Sequence, residues 1–190
     1  MVNEIIIGIS GASGVQYGIR LLETLKTTKG VKTHLVLSDS AKQLIGIETD
    51  RSVREVEDLA DHVYKDDDFT APIASGSHRS KGMIVAPCSM KSLASIAMGM
   101  SDTLLSRAAD VCLKENRRLI LSPRETPFNA IHLQNMLTLS RMGVIIMPPI
   151  PAFYTGAQTM DDMVQQFVGK ILDHLGVASN IPKRWGENYS

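Results

Sequence analysis

Ile5-Ile6-Ile7-Gly8-Ile9-Ser10-Gly11-Ala12-Ser13-Gly14 is the stretch whose reading decides the fold. Four isoleucines around one glycine predict a short strand buried on both faces. Glycines at 11 and 14 end that strand in a sharp turn and let bare backbone approach a ligand. Val15, Ile19, Leu22 and Leu25 follow at helical spacing, so a helix aims its free N–H groups and positive dipole end at the turn. The spacing is Gly-x-x-Gly-x-x-Gly, not the Gly-x-Gly-x-x-Gly of dinucleotide folds. A tight turn without ligand is one reading. The hydroxyls of Ser10 and Ser13 favour the other, contact with a phosphate or a flavin. A nicotinamide site would want an acid after the second strand; Asp39 stands there but serves equally as a helix cap.

Working outward, Val31 to Leu37 reads as a second strand, stopping at the capping residues Ser38-Asp39-Ser40 before a helix from about 41 to 48. The stretch 49–65 is polar with weak helical spacing, and Asp66-Asp67-Asp68 reads as a solvated loop. Three more strands follow: Gly82 to Ala86, Arg118 to Ser122, and Gly143 to Met147, separated by helical patterns. The last helix, through Met160, Val164, Phe167, Val168, Ile171, Leu172 and Leu175, carries the clearest apolar stripe. Such alternation predicts a single α/β domain over 1–178 with a doubly wound, mostly parallel, Rossmann-like three-layer sheet, and a tail over 179–190. Ligands in such sheets bind beyond the carboxyl ends of the strands.

Bulk composition narrows the class. Lys plus Arg and Asp plus Glu both number 20 in 190 residues, which gives nucleic acid or an anionic membrane no basic partner. No apolar run approaches the roughly 20 residues of a membrane helix, and no signal peptide is legible. Two cysteines, Cys88 and Cys112, form no disulfide framework, so a cytoplasmic setting is expected. The five histidines show no ligand spacing, and no metal is expected.

The strand-end loops carry the chemistry. Pro87-Cys88-Ser89-Met90-Lys91-Ser92 offers hydroxyls, a helix N-terminus and one cation; an ordinary cap at Ser89 is the plain alternative. Cys88 has no histidine at an obvious partnering position, which favours a buried structural thiol over a nucleophile. Pro123-Arg124-Glu125-Thr126-Pro127 holds two opposite charges between prolines. They form either a surface ion pair or an arginine clamp for phosphate or carboxylate beside a proton-trading carboxyl. Phe153-Tyr154 reads as a wall over an aromatic ligand or as sheet-edge packing, and spacing does not choose.

With these loops in view the sequence resembles the UbiX family of flavin prenyltransferases, relatives of flavin-binding decarboxylases that act on cysteine-derived thiols. The likeness rests on seven motifs in order. They are Gly8 to Gly14, Pro87 to Ser92, Arg107-Ala108-Ala109-Asp110-Val111, Pro123 to Pro127, His132-Leu133-Gln134-Asn135-Met136, Pro148 to Tyr154, and Arg184-Trp185. The resemblance implies an enzyme that joins the dimethylallyl group of dimethylallyl phosphate to N5 and C6 of reduced FMN. FMN would lie between subunits of a homododecamer, and the prenylated FMN would pass to a UbiD-type decarboxylase. It implies FMN contacts at Gly11, Ala12, Ser13, Ser38, Ser89, Met90, Lys91, Ser92 and Arg124. Donor contacts would come from Arg107, Lys114, Tyr154, Lys170 and Trp185, the last on a tail packed against a neighbouring subunit. Glu125 and Ser13 would move protons, with Glu48 contributing.

Two positions depart from the family pattern. Lys170 stands where arginine is common, turning a bidentate grip into a point charge. No proline follows Tyr154 closely, which loosens that wall. The alternatives are an FMN-dependent decarboxylase of a cysteinyl substrate and a non-catalytic FMN-binding subunit of a decarboxylase.

Overall fold

Burial along the first strand sorts the molecule into layers. In β1 (Asn3–Ile9), Ile5, Ile7 and Ile9 point into one hydrophobic core and Ile6 into another. The computed structural model describes residues 3–179 and 184–186. Around β1 it sets β2 (Val31–Leu37), β3 (His62–Tyr64), β4 (Gly82–Cys88), β5 (Arg118–Pro123) and β6 (Ile145–Ile146). All pairs are parallel, in the order β3-β2-β1-β4-β5-β6.

The core on the Ile5, Ile7 and Ile9 side is closed by α1 (Val15–Lys26), α2 (Asp39–Glu48), α3 (Val53–Glu57) and α7 (Met160–Leu175). The opposite core is closed by α4 (Met90–Ala97), α5 (Leu104–Lys114) and α6 (Ala130–Arg141). The fully buried β4 shows why its sequence lacks alternation: both faces are covered. Among the described residues no helix is long and apolar enough to cross a membrane.

The strand pattern differs from expectation in two places. The stretch 49–65 holds the short helix α3, started by a Ser52–Glu55 capping box, and then the edge strand β3. Three residues are too few to show a period of two. The expected strand over 143–147 narrows to Ile145–Ile146 at the other edge. Of the tail over 179–190, residues 180–183 and 187–190 lie outside the described residues.

Several large apolar side chains around α6 and the end of α4 stay exposed. On α6, Ile131, Leu133 and Leu137 are exposed, and Met98 and Met100, which close the turn after α4, join them. Where such side chains gather into one patch they mark a contact between molecules.

Candidate active site

β1 and β4 are neighbours whose chains leave toward opposite sides of the sheet, which opens a crevice beyond their carboxyl ends. Ser10 ties the two loops together there. Its buried hydroxyl donates to the Pro87 carbonyl at 3.1 Å and accepts from the Ser89 N–H at 2.7 Å. The β4 ladder is irregular between Val85 and Cys88, which re-aims the following residues as bulges do. The Arg124 N–H donates to the Cys88 carbonyl at 3.3 Å, bringing the end of β5 to the same place.

The resulting cavity, about 590 Å³, is lined by Gly11, Ala12, Ser13, Ser38, Ser89, Met90, Lys91, Ser92, Arg124 and Glu125. Four strand-end loops far apart in sequence thus meet. Its volume lies within the roughly 300–1,000 Å³ usual for small-molecule sites.

The glycine turn itself works differently from the sequence reading. Gly14, at φ 104°, is in the left-handed region that glycine tolerates. However, the first N–H groups of α1 are already taken: Glu48 accepts from Gly14 at 2.8 Å and from Val15 at 3.2 Å. Glu48 is therefore the anion at the start of α1, and it is not among the residues lining the crevice. This corrects the expected phosphate cradle at that helix, whose first N–H groups a carboxylate already holds. No local signal marks it, since 34 residues separate it from Gly14. Glu48→Ala should cost about 1–2 kcal/mol, as for a lost charged cap, read as a lower urea midpoint; an unchanged midpoint would refute the capping role.

The start of α4 is the anion-binding end that remains. Ser89 caps it by accepting from Ser92 N–H at 3.2 Å. The N–H groups of Met90 and Lys91 have no partner among the described residues, as the first turn of a helix dictates. Lys91 and Arg124 supply cations at either side. Arg124 is held by its Nε, which donates to the Ser13 carbonyl at 3.0 Å. Glu125 is turned by its own backbone, with Oε1 accepting from Thr126 N–H at 3.0 Å. The ion-pair alternative fails, because among the described residues no salt bridge joins Arg124 to Glu125.

Sequence reasoning missed several wall residues. Asp66, read as solvated, lines the crevice and accepts from Leu105 N–H at 2.9 Å at the start of α5. Burial raises its carboxyl above the ordinary range, partly offset by bonds from Leu105 and Thr103. Ser40 closes over Gly11, where a Cβ would stand 2.4 Å from the Ser40 Cβ. Tyr17 packs against Gly14 and, edge-on at 5.1 Å, against Phe167. Its hydroxyl is raised by burial, with Arg124 opposing.

Tyr154, Lys170 and Trp185 meet in a second cavity of about 490 Å³, with Phe167 among its walls. Tyr154 and Trp185 contact edge to face at 5.2 Å, which places the described part of the tail beside that cavity. Arg184 donates to Asp173 at 3.0 Å and anchors it. Arg107 and Lys114 lie elsewhere on α5. Arg107 donates to the Ala74 carbonyl and pairs with Asp110, and Lys114 pairs with Glu115. Within one chain they do not join Tyr154 and Lys170. Cys88 and Cys112 are buried, and burial pushes both thiols up to about 12; neither is an activated nucleophile.

With this geometry in hand, comparison with known proteins is direct. The Flavoprotein family model matches residues 2–172. Flavin prenyltransferase UbiX of Methanocaldococcus jannaschii is 50% identical, covering 96% of this chain and 98% of that protein. A dodecameric FMN-dependent UbiX-like decarboxylase from Escherichia coli O157:H7 superposes with a TM-score of 0.94 at 50% identity, covering 96% of this chain and 98% of that one. AnUbiX (PadA1), solved with FMN and dimethylallyl pyrophosphate, gives a TM-score of 0.95 at 46% identity over 97% and 98% of the two chains.

Proposed function

The chain belongs to the Flavoprotein family and, within it, to the UbiX-like flavin prenyltransferases, and from this we propose that it joins a dimethylallyl group to N5 and C6 of reduced FMN. The observation that carries the reading is the crevice at the β1–β4 junction. It brings the Gly11 to Ser13 backbone, the start of α4, Arg124 and Glu125 around one cavity.

That crevice suits FMN on three counts. Gly11, where only hydrogen fits against Ser40, lines the cavity and presents bare backbone to it. The α4 N-terminus with Lys91 favours a phosphate. The hydroxyls of Ser13, Ser38 and Ser92 offer further hydrogen bonds. When bound, reduced FMN supplies the nucleophilic ring positions.

The chain's residues do the rest. Departure of phosphate from the donor leaves an allylic cation, which needs an anion clamp at one end and aromatic faces at the other. We assign the clamp to Lys170 with Arg107 and Lys114, and the faces to Tyr154 and Trp185. Because Arg107 and Lys114 are remote from Lys170 in one chain, the clamp is completed across an interface between copies. The exposed apolar side chains of α6 and the dodecameric relative support such a homo-oligomer. Glu125 and Ser13, at the crevice, hold and move the protons lost on ring closure and taken up by phosphate. The product serves a UbiD-type decarboxylase.

The test is anaerobic. Protein, reduced FMN and dimethylallyl phosphate should yield flavin heavier by one prenyl unit, with a changed absorption spectrum. Unmodified flavin with both the mono- and the diphosphate donor would end the proposal.

A further inference from the structure

Away from the crevice, toward the amino ends of the strands, three residues from separate segments converge without serving the reaction. Glu4 lies near the start of β1, His34 within β2, and His78 in the loop before β4. One ligand atom from each falls within 4.8 Å of the others. The shared member is Glu4 Oε2, at 3.2 Å from His34 Nε2 and 3.2 Å from His78 Nε2. A tetrahedral zinc site with bonds of about 2.0–2.2 Å has edges of about 3.3 Å. The two Glu4–histidine separations match that edge, and the two histidine nitrogens lie within 4.8 Å of each other.

The surroundings support the same reading. His78 Nε2 is buried and, though close to Glu4, makes no hydrogen bond. His34 Nδ1 lies 3.0 Å from the Tyr64 hydroxyl. In the tautomer that carries its proton on Nδ1, a cation takes the place of the hydrogen bond that otherwise joins Nε2 to Glu4 Oε2 at 3.2 Å. The loop bearing His78 is pinned by Arg117, whose guanidinium donates to the Gly76 and His78 carbonyls at 2.6 and 2.5 Å. Glu4 is partly exposed, at 31% of its side chain, so an ion has a way in.

We propose that Glu4, His34 and His78 form a binding site for a zinc-class divalent cation, tying β1, β2 and the loop before β4 together. A fourth position is left to water. Residues this far apart in sequence carry no ligand spacing, so only folding assembles such a cluster. The buried thiols Cys88 and Cys112 do not compete, since both stay protonated.

Calorimetric titration of the full, chelator-stripped protein with zinc chloride tests this. One zinc per chain is expected. Glu4→Gln and His78→Ala should each weaken binding by more than about tenfold, and Tyr64→Phe by about tenfold through the lost outer bond. His132→Ala, an imidazole outside the cluster, should bind as the parent does. Saturating zinc should raise the melting temperature by about 5–10 °C at a free concentration about a hundred times Kd. No uptake, or equal affinity in Glu4→Gln and His78→Ala, overturns the site. Should either variant fail to fold, anomalous diffraction from zinc-soaked parent crystals decides: a peak among the three residues supports the site, and a peak elsewhere refutes it.

Discussion

Glu125→Gln should lower prenyl transfer by about 10²–10⁴-fold while leaving FMN binding within about twofold of the parent. The amide keeps the size and the hydrogen bond from Thr126 N–H at 3.0 Å but neither holds nor releases a proton at neutral pH. Single-turnover rates with reduced FMN and donor, beside flavin titrations, separate the two quantities. A loss confined to FMN affinity would make Glu125 a binding residue only. An unchanged rate would remove it from the chemistry, and unchanged support of a decarboxylase partner would favour the non-catalytic FMN-binding subunit instead. Ser13→Ala is the companion variant, because Ser13 lines the same cavity.

The second large effect concerns stability. Gly18→Ala should destabilise the fold by about 3 kcal/mol, lowering the melting temperature by about 6–12 °C. Gly18 faces the sheet from α1, and a Cβ there would lie 2.4 Å from the Ala86 carbonyl oxygen and 2.5 Å from Ile9 Cδ1. Ala86 sits in the buried central strand β4, so its carbonyl has nowhere to retreat. Helix propensity alone argues the reverse, since alanine is favoured over glycine by about 1 kcal/mol inside a helix. A melting temperature equal to or above the parent's would therefore show that α1 does not press on the sheet as closely as the structure shows.

Gly18 illustrates where sequence reading stops. The helix over Val15 to Lys26 was legible from the spacing of Val15, Ile19, Leu22 and Leu25, but the need for glycine at its second turn comes from a strand more than sixty residues away. Glu48 is similar: its helix was legible, yet only packing puts its carboxylate at the start of α1. Asp66 read as one member of a solvated run because a charge pattern says nothing about which member the fold encloses.

What the chain by itself determined was the layered α/β architecture and the residues of the crevice. Buried parallel strands announce themselves as apolar runs, and strand-end loops are local features whose glycines, prolines and hydroxyls stand together in sequence. Gly11 to Ser13, Ser89 to Ser92 and Arg124-Glu125 were all found that way. Tertiary structure decided what depends on proximity across the sheet. It gave the α1 N-terminus to Glu48 and left the α4 end for an anion. It set Tyr154, Lys170 and Trp185 apart from Arg107 and Lys114, and it gathered Glu4, His34 and His78. Those outcomes turn on distances between segments, and distance between segments is fixed only when the sheet order is.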